Sequence, residues 1–317
     1  MHRKSMTGFI WKINMDRRNF ISKTSAGSAF VGLGGLSLNS CIGATNKHIT
    51  ILHTNDVHSH IDTFPKSHTS FPNLGGVARR ASLVEAIRKE NPNTLLLDAG
   101  DIFQGTPYFN FYGGELEFKL MSKLKYDAAT IGNHDFDNGI DGLFAQLPHA
   151  TFELLSANYD FSNTVMNGHV KPYKTYLVNG LKVGIYGIGI ELAGLVTKKL
   201  YKETRYLDPF EIATDIETQL KTEEKCDLII CLSHLGYHYK SEQKPDDLKL
   251  AAKSKYTDLI IGGHTHTFLD KPTVTKNALG NNILVNQVGC FGINLGRIDF
   301  YFDNDKNIKA DGTRIIV

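Results

Sequence analysis

"IGNHDFDNG" occupies Ile131 to Gly139 and governs how the rest of the chain is read. A short β-prone stretch, Ala128 to Ile131, stops at a glycine. An amide, an imidazole and two carboxylates then arrive almost together: Asn133, His134, Asp135 and Asp137. Such side chains can bind metal or move protons. One loaded turn says little by itself, because a lone histidine after a strand is more often a capping or surface group. What matters is whether other strand ends carry the same residue types.

They do. Five short apolar runs read as buried strands: "ITIL" at 49–52, "TLLLDA" at 94–99, "AATI" at 128–131, "LIICL" at 228–232 and "DLII" at 258–261. Helical patterns at 76–90, 114–124 and 209–223 lie between some of them. This alternation argues for an α/β layered fold. After residue 270, "NILVNQVG" and "LGRIDFYF" read as antiparallel strands. The first run leads into Asp56 and His58 within "HTNDVHSH", and the second into Gly100–Asp101 within "DAGDIFQG". The third leads into Asn133–His134 and the fourth into Ser233–His234. The fifth leads into His264 and His266 within "GGHTHTF". In open α/β sheets, sites gather beyond the carboxyl ends of strands, so these ends are expected to converge on one patch.

Taken in order, D-x-H, G-D, G-N-H-D, a strand-end His and G-H-x-H resemble the calcineurin-like metallophosphoesterase superfamily. "ILHTNDVHSH", "DAGDIFQGTP", "IGNHDFDNG" and "GGHTHTF" are similar to its 5′-nucleotidase branch in particular. The resemblance implies a four-layer α/β/β/α sandwich, two divalent metal ions and hydrolysis of phosphate esters, 5′-nucleotides foremost. It assigns Asp56, His58, Asp101 and His266 to one ion. Asp101, as the bridge, joins Asn133, His234 and His264 on the other. His134 corresponds to the catalytic histidine, which stabilises the transition state or protonates the leaving oxygen. Asp137 would orient it and favour its protonated form. Asp135 has no role in the pattern and reads as a solvated or turn-capping acid.

The residue types suit the chemistry. Two metal ions roughly 3.5–4 Å apart lower the pKa of a shared water and neutralise developing charge on a phosphate ester. Two divalent ions bring four positive charges, and Asp56 and Asp101 remove two. About +2 remains to attract an anionic substrate. Nitrogen and oxygen ligands without thiolate fit Zn, Mn, Fe or Co and do not choose among them. The same scaffold serves cyclic-nucleotide phosphodiesters and thiosulfate-type esters, so these substrates stay open. A surface binding protein without turnover is the remaining alternative. Loss of Asp101 or His134 would favour it, and both are present.

Other positions have plainer readings. His53, His60 and His238 are expected to hydrogen-bond near the ligands rather than ligate. Gly75–Gly76 and Gly113–Gly114 are expected to open helices. "VGIYGIGIE" reads as a strand and a turn, since G-x-x-G-x-G is not dinucleotide-loop spacing. "DKPTVTKN" and "YKETRY" read as solvated loops, and Cys226, Cys231 and Cys290 as buried small hydrophobes.

Charge is uneven along the 317 residues. Residues 1–41 hold six Lys or Arg and one acid, a net of +5, which leaves −3 of the total +2 for the remainder. A weakly acidic body offers no basic stripe for nucleic acid. The N-terminal segment carries Arg17–Arg18, then Phe20, then a mildly apolar Gly/Ser-rich run ending in "LNSC" at Cys41. It resembles a twin-arginine export signal ending in a lipobox, with Asn39 departing from the usual small residue. The expected organisation is an export signal over 1–41 and a single catalytic domain over 42–317. The expected location is the periplasm or cell envelope, anchored to membrane by lipid on Cys41.

Members of the nucleotidase branch carry a further domain that stacks the nucleoside between aromatic rings. The sequence given ends at Val317, soon after the last strand expected of the catalytic domain. Selectivity for a nucleoside is therefore expected from a separate substrate-binding polypeptide or a second copy. Phe103, Tyr108, Phe109 and Phe111, near the Asp101 loop, would serve either as its docking surface or as buried packing.

The N-terminal reading is tested by fractionation. Cys41→Ala should move the protein from the membrane fraction to the soluble one, and mature wild type should lack the emission of Trp11, the chain's only tryptophan. Wild-type protein found soluble with Trp11 retained would contradict it.

Overall fold

The computed structural model describes residues 47–317. The proposed export segment, Cys41 included, lies outside the described residues. Among the described residues, fourteen strands and seven α-helices follow in chain order. The first sheet contains β1 (Lys47–Thr54), β2 (Thr94–Asp98), β3 (Ala128–Thr130) and β4 (Glu153–Leu155), all parallel. A two-stranded ribbon pairs β5 (Tyr159–Asp160) with β8 (Arg205–Tyr206). The second sheet is built from β6 (Tyr173–Val178), β7 (Leu181–Ile188), β9 (Leu228–Ser233), β10 (Leu259–Gly262), β11 (Thr273–Lys276) and β12 (Asn282–Asn286). Its strands β7, β9, β10 and β12 run parallel, with β6 and β11 antiparallel at the two edges. Finally β13 (Asn294–Phe302) and β14 (Ile308–Ile316) return antiparallel to the first sheet, beside β1.

The layering follows from side-chain parity. Successive residues of a strand face opposite sides, and a sheet covered on both sides needs apolar residues at both parities. In β9, Leu228, Ile230 and Leu232 join Ile49, Ile51, Leu95 and Leu97 of the first sheet in one buried cluster between the sheets. The intervening Ile229 and Cys231 face outward against Ala213 and Leu220 of α6 (Pro209–Thr222) and Leu250 of α7 (Asp247–Lys253). On the other side, Leu52, Leu96 and Leu154 pack against α1 (Val77–Glu90), α3 (Glu115–Lys123) and α4 (Gly139–Gln146). Helices therefore cover the outer face of each of two facing sheets, as the expected sandwich requires.

Several local expectations need correction. "DKPTVTKN" holds the edge strand β11, and "YKETRY" ends in β8, so neither is wholly a loop. Both are short and polar because an edge strand need not bury two apolar faces. β12 pairs antiparallel with β11 but parallel with β10. Gly113 closes the six-residue helix α2 (Pro107–Tyr112), and only Gly114 opens α3. Within α2 the aromatics divide: Phe109 is buried and Phe111 is 82% exposed, with Tyr108 between. Phe103 is fully buried, its ring centroid 5.0 Å from that of Phe118. Phe103 and Phe109 are core, so the four aromatics do not form a continuous exposed surface. Cys226, Cys231 and Cys290 are buried free thiols, as expected.

Candidate metal centre

The carboxyl ends of β1, β2, β3, β9 and β10 meet in one place. The two loops after β1 and β2 run side by side. Asp56 N–H donates to the Gly100 carbonyl (2.9 Å), His58 N–H to that of Asp101 (3.0 Å), and Ser59 N–H to that of Ile102 (2.9 Å). Five of the site's non-glycine residues adopt positive φ: Asp56 (50°), His58 (50°), Asp101 (54°), His264 (71°) and His266 (49°). Left-handed backbone at such residues costs of order 1–3 kcal/mol each and persists where surrounding contacts over-determine it. Here the same twist recurs at the exits of β1, β2 and β10, where the chain turns a polar side chain into the seam. The approach is close. A methyl group at Gly132 would overlap the Asp101 carboxylate, and one at Gly263 would stand 2.7 Å from His234 Nδ1.

Two groups of side chains could each hold a metal ion: Asp56, His58 and His266, and Asp101, His234 and His264. His58 Nε2 and His266 Nε2 face one another at 3.0 Å, with Asp56 Oδ1 3.4 Å from the latter. On the other side His234 Nε2 lies 3.0 Å from Asp101 Oδ2, and His264 Nδ1 lies 2.8 Å from Asn133 Oδ1. Asp101 Oδ2 is also 3.8 Å from His58 Nε2, so this carboxylate stands between the two groups. All seven expected ligands are thus brought together.

The donor set fits cations. His234 Nδ1 is 2.6 Å from the Ala99 carbonyl and must carry the proton to donate there. Its Nε2 then presents a lone pair toward the Asp101 carboxylate, fully buried and without an aligned hydrogen-bond partner. Two electron-rich atoms facing each other away from water need a positive charge between or on them. Burial disfavours the charged imidazole, yet Asp101 and Asp56 outweigh it and push the His234 pKa up to about 10. A buried positive charge is wanted at this point, and a metal ion supplies one. Burial conversely pulls His264 down to about 4 and lowers His58, leaving both neutral, the form that ligates metal.

The opening turn is a 3₁₀ segment, His134–Phe136. Side chains at i and i+3 eclipse in that geometry, which lays Asp137 over His134. His134 Nδ1 and Asp137 Oδ2 are 2.8 Å apart, and this hydrogen bond raises the His134 pKa against partial burial. The His134 ring stands 5.2 Å from that of His58, so the pair lies at the rim of the metal-ligand cluster.

Asp135 is not solvated, contrary to expectation. It is buried and accepts N–H bonds from Gly132 (2.8 Å), Ile102 (2.9 Å), Asp101 (3.1 Å) and Phe103 (3.1 Å). Burial and the Asp101 charge push its pKa up to about 7, opposed by the N–H groups of Gly132 and Phe103. It caps a turn, but that of the neighbouring loop, and so fixes the backbone carrying Asp101. Asn55 has the same kind of role, its amide donating to Asp56 Oδ2 and to the Gly289 carbonyl (2.6 Å each). Sequence spacing signals neither, since each also binds backbone groups distant along the chain, Asn55 the Gly289 carbonyl and Asp135 the N–H groups of Asp101, Ile102 and Phe103. His60 Nδ1 bonds the His58 carbonyl (2.9 Å), whereas His53 bonds Asn286 (2.8 Å) and His238 faces Asp246 (3.3 Å). Of these three, only His60 touches a candidate ligand directly.

Comparison with known proteins agrees with this geometry. The family model for calcineurin-like phosphoesterases matches residues 49–268. The snake venom 5′-nucleotidase of Crotalus adamanteus is 36% identical over 299 residues, covering 87% of this chain and 49% of that protein. The 5′-nucleotidase of Homo sapiens is 34% identical, with coverages of 85% and 49%. The crystal structure of a 5′-nucleotidase precursor from Thermus thermophilus superposes with a TM-score of 0.78 at 34% identity, over 86% of this chain and 55% of that one. The chain spans about half the length of the curated relatives it matches. It belongs to the calcineurin-like phosphoesterase family, and so to the metal-dependent phosphoester hydrolases.

Removing the Asp135 carboxylate leaves four buried N–H groups unpaired, each costing about 1–3 kcal/mol when unsatisfied. Asp135→Ala should therefore lower stability by more than about 3 kcal/mol in urea unfolding and weaken metal retention. Unchanged stability and metal content would show that the Asp101 loop is held by other contacts.

Proposed function

We propose that this calcineurin-like phosphoesterase is an exported hydrolase of phosphate monoesters, 5′-nucleotides foremost, working with two divalent ions that share Asp101. The observation carrying this reading is the position of that carboxylate, its Oδ2 3.0 Å from His234 Nε2 and 3.8 Å from His58 Nε2. Asp56, His58 and His266 would complete one ion's shell, and Asn133, His234 and His264 the other's. Nucleotides as the substrate class are drawn from the relatives' names, and export with a lipid on Cys41 from the N-terminal motif alone.

Ions held there supply an activated water and neutralise charge on the phosphoryl group. The protein's own residues do the rest. Asp56 is held by His264 N–H (2.9 and 3.1 Å) and by Asn55, which fixes its carboxylate plane. Asp101 Oδ1 accepts His134 N–H (2.7 Å), which leaves Oδ2 for ligation and ties the candidate acid to the bridge. Asp137 keeps the proton of His134 on Nδ1, so a second proton on Nε2 can pass to the leaving oxygen or donate to a phosphoryl oxygen.

The test is a panel of phosphate esters assayed with several divalent metals. Hydrolysis should vanish on chelation and return with added metal. His134→Ala should retain its metal while kcat falls roughly 10²–10⁴-fold, and Asp137→Asn should lose less. Should His134→Ala strip the metal, the roles of Asn133 and His134 have been confused.

A further inference from the structure

Away from the metal-ligand cluster, a groove of about 650 Å³ runs between α1 and α3 on the outer side of the first sheet. Its floor is apolar, with Ala81, Val84, Leu120 and Leu124 along it. Four cations, Arg88, Lys89, Lys123 and Lys125, border it together with one carboxylate, Glu85. The cations gather at one end. α1 starts near the candidate site, where Val77 N–H donates to the Ile61 carbonyl (2.8 Å). It ends beside the start of β1, where the Asn91 amide meets His48 Nδ1 (3.3 Å) and donates to Thr50 Oγ1 (3.0 Å). Arg88 ties the ends of α1 and α3 together, donating to the Leu124 and Lys125 carbonyls (2.7 Å each). The metal-ligand cluster lies at the carboxyl ends of the strands, so the basic end of the groove is the opposite one. Lys89 pairs with Glu85 (2.7 Å), and Arg88 lies 3.8 Å from Asp127. Lys123 and Lys125 are exposed and have no ion-pair partner among the described residues. α3 closes in a Schellman turn, Tyr126 N–H reaching the Met121 carbonyl (3.1 Å) and Lys125 N–H that of Ser122 (3.0 Å). Lys125 takes the left-handed position of that turn (φ 59°), where glycine is the usual residue and a lysine carries a backbone cost. Cations in a last helical turn suit the helix dipole, but the dipole does not account for the partly exposed apolar floor beside them.

We infer that this groove seats an anionic phospholipid at a bilayer surface, its headgroup on Lys123 and Lys125 and its carbon chain on the apolar floor. The inference rests on the lipid-anchor reading above and adds to it which face of the domain meets the bilayer. Six positions separate Cys41 from Lys47, the first residue of β1, a span of about 20 Å at full extension. A lipid on Cys41 would therefore hold a membrane within reach of the end where the cations gather. Four cations against one carboxylate leave a local excess of positive charge on a weakly acidic body, which an anionic leaflet attracts. The apolar floor adds contact that a free phosphate or a purely polar anion could not use. Seated this way, the domain points the carboxyl ends of its strands, and the metal-ligand cluster with them, away from the bilayer and toward dissolved substrate.

The test uses the full chain carrying Cys41→Ala, which cannot take a lipid on that thiol, and sedimentation with vesicles of phosphatidylglycerol or of phosphatidylcholine. The protein should bind the anionic vesicles far better than the neutral ones, and added salt should weaken that binding. Replacing Lys123 and Lys125 by Ala in the same background should weaken binding about twenty-fivefold, about fivefold for each lysine. The basic N-terminal segment is present in both proteins, so it cancels from this ratio. Phosphate-ester hydrolysis should be unchanged by the two substitutions, which shows that the variant is folded. Hydrogen exchange in the presence of phosphatidylglycerol vesicles should slow over residues 77–89 and 119–125. A wild type without lipid on Cys41 would end the anchor reading, while the vesicle assay would still judge the groove. Equal binding to both kinds of vesicle, binding unchanged by the two substitutions, or exchange unaltered along the groove would overturn the inference.

Discussion

Buried charge without water is the constraint on which this structure turns. Asp56, Asp101 and His234 are fully or almost fully buried at the seam of the two sheets, and among the described residues no lysine or arginine pairs with either carboxylate. Burying an isolated carboxylate is costly unless it is paired or bound to a metal. The hydrogen bonds present satisfy only part of each: His264 N–H and Asn55 for Asp56, His134 N–H for Asp101. The remaining lone pairs point toward imidazole nitrogens: the Nδ1 proton of His234 is committed to the Ala99 carbonyl, burial lowers the pKa of His58, and at His266 burial is outweighed by the Asp56 carboxylate, which raises the pKa. A cluster built this way is completed by cations.

The fold exists to hold that cluster. Parallel strands buried on both faces deliver their carboxyl ends to one side, and a left-handed residue at the exits of β1, β2 and β10 turns the chain sharply enough to aim a side chain inward. The backbone cost of those turns is met by the ladder between the Asp56 and Asp101 loops and by Asp135, which gathers four N–H groups from two loops. Rigidity at the seam is thus built from backbone hydrogen bonds, leaving side-chain atoms for chemistry.

Much of this was legible in the sequence, for a physical reason. A strand covered on both faces must be a continuous apolar run, and the residue after it must be glycine or polar if the chain is to turn into a site. "LIICL" followed by Ser233–His234 and "DLII" followed by Gly262–Gly263 carry that signature. What escaped has no periodic trace. β11 alternates half-buried threonines with an exposed valine and lysine at an edge, and looks like a loop until its partner is known. Three of the four N–H groups that Asp135 binds lie more than thirty positions away. Phe64, Phe71 and Phe291 cluster although more than two hundred positions separate the first two from the third, which is placed beside them by its N–H bond to the Asp56 carbonyl. The aromatics that did stand out beside Asp101 divide instead between core and solvent.

The central claim is that one carboxylate serves two ions. Elemental analysis of wild type and Asp101→Asn, purified side by side in the same metal, addresses it directly. Two divalent ions per chain in wild type, and loss at both positions in Asp101→Asn, is the predicted result. An active wild type carrying one ion or none, or an Asp101→Asn protein that loses only one of two, would contradict it.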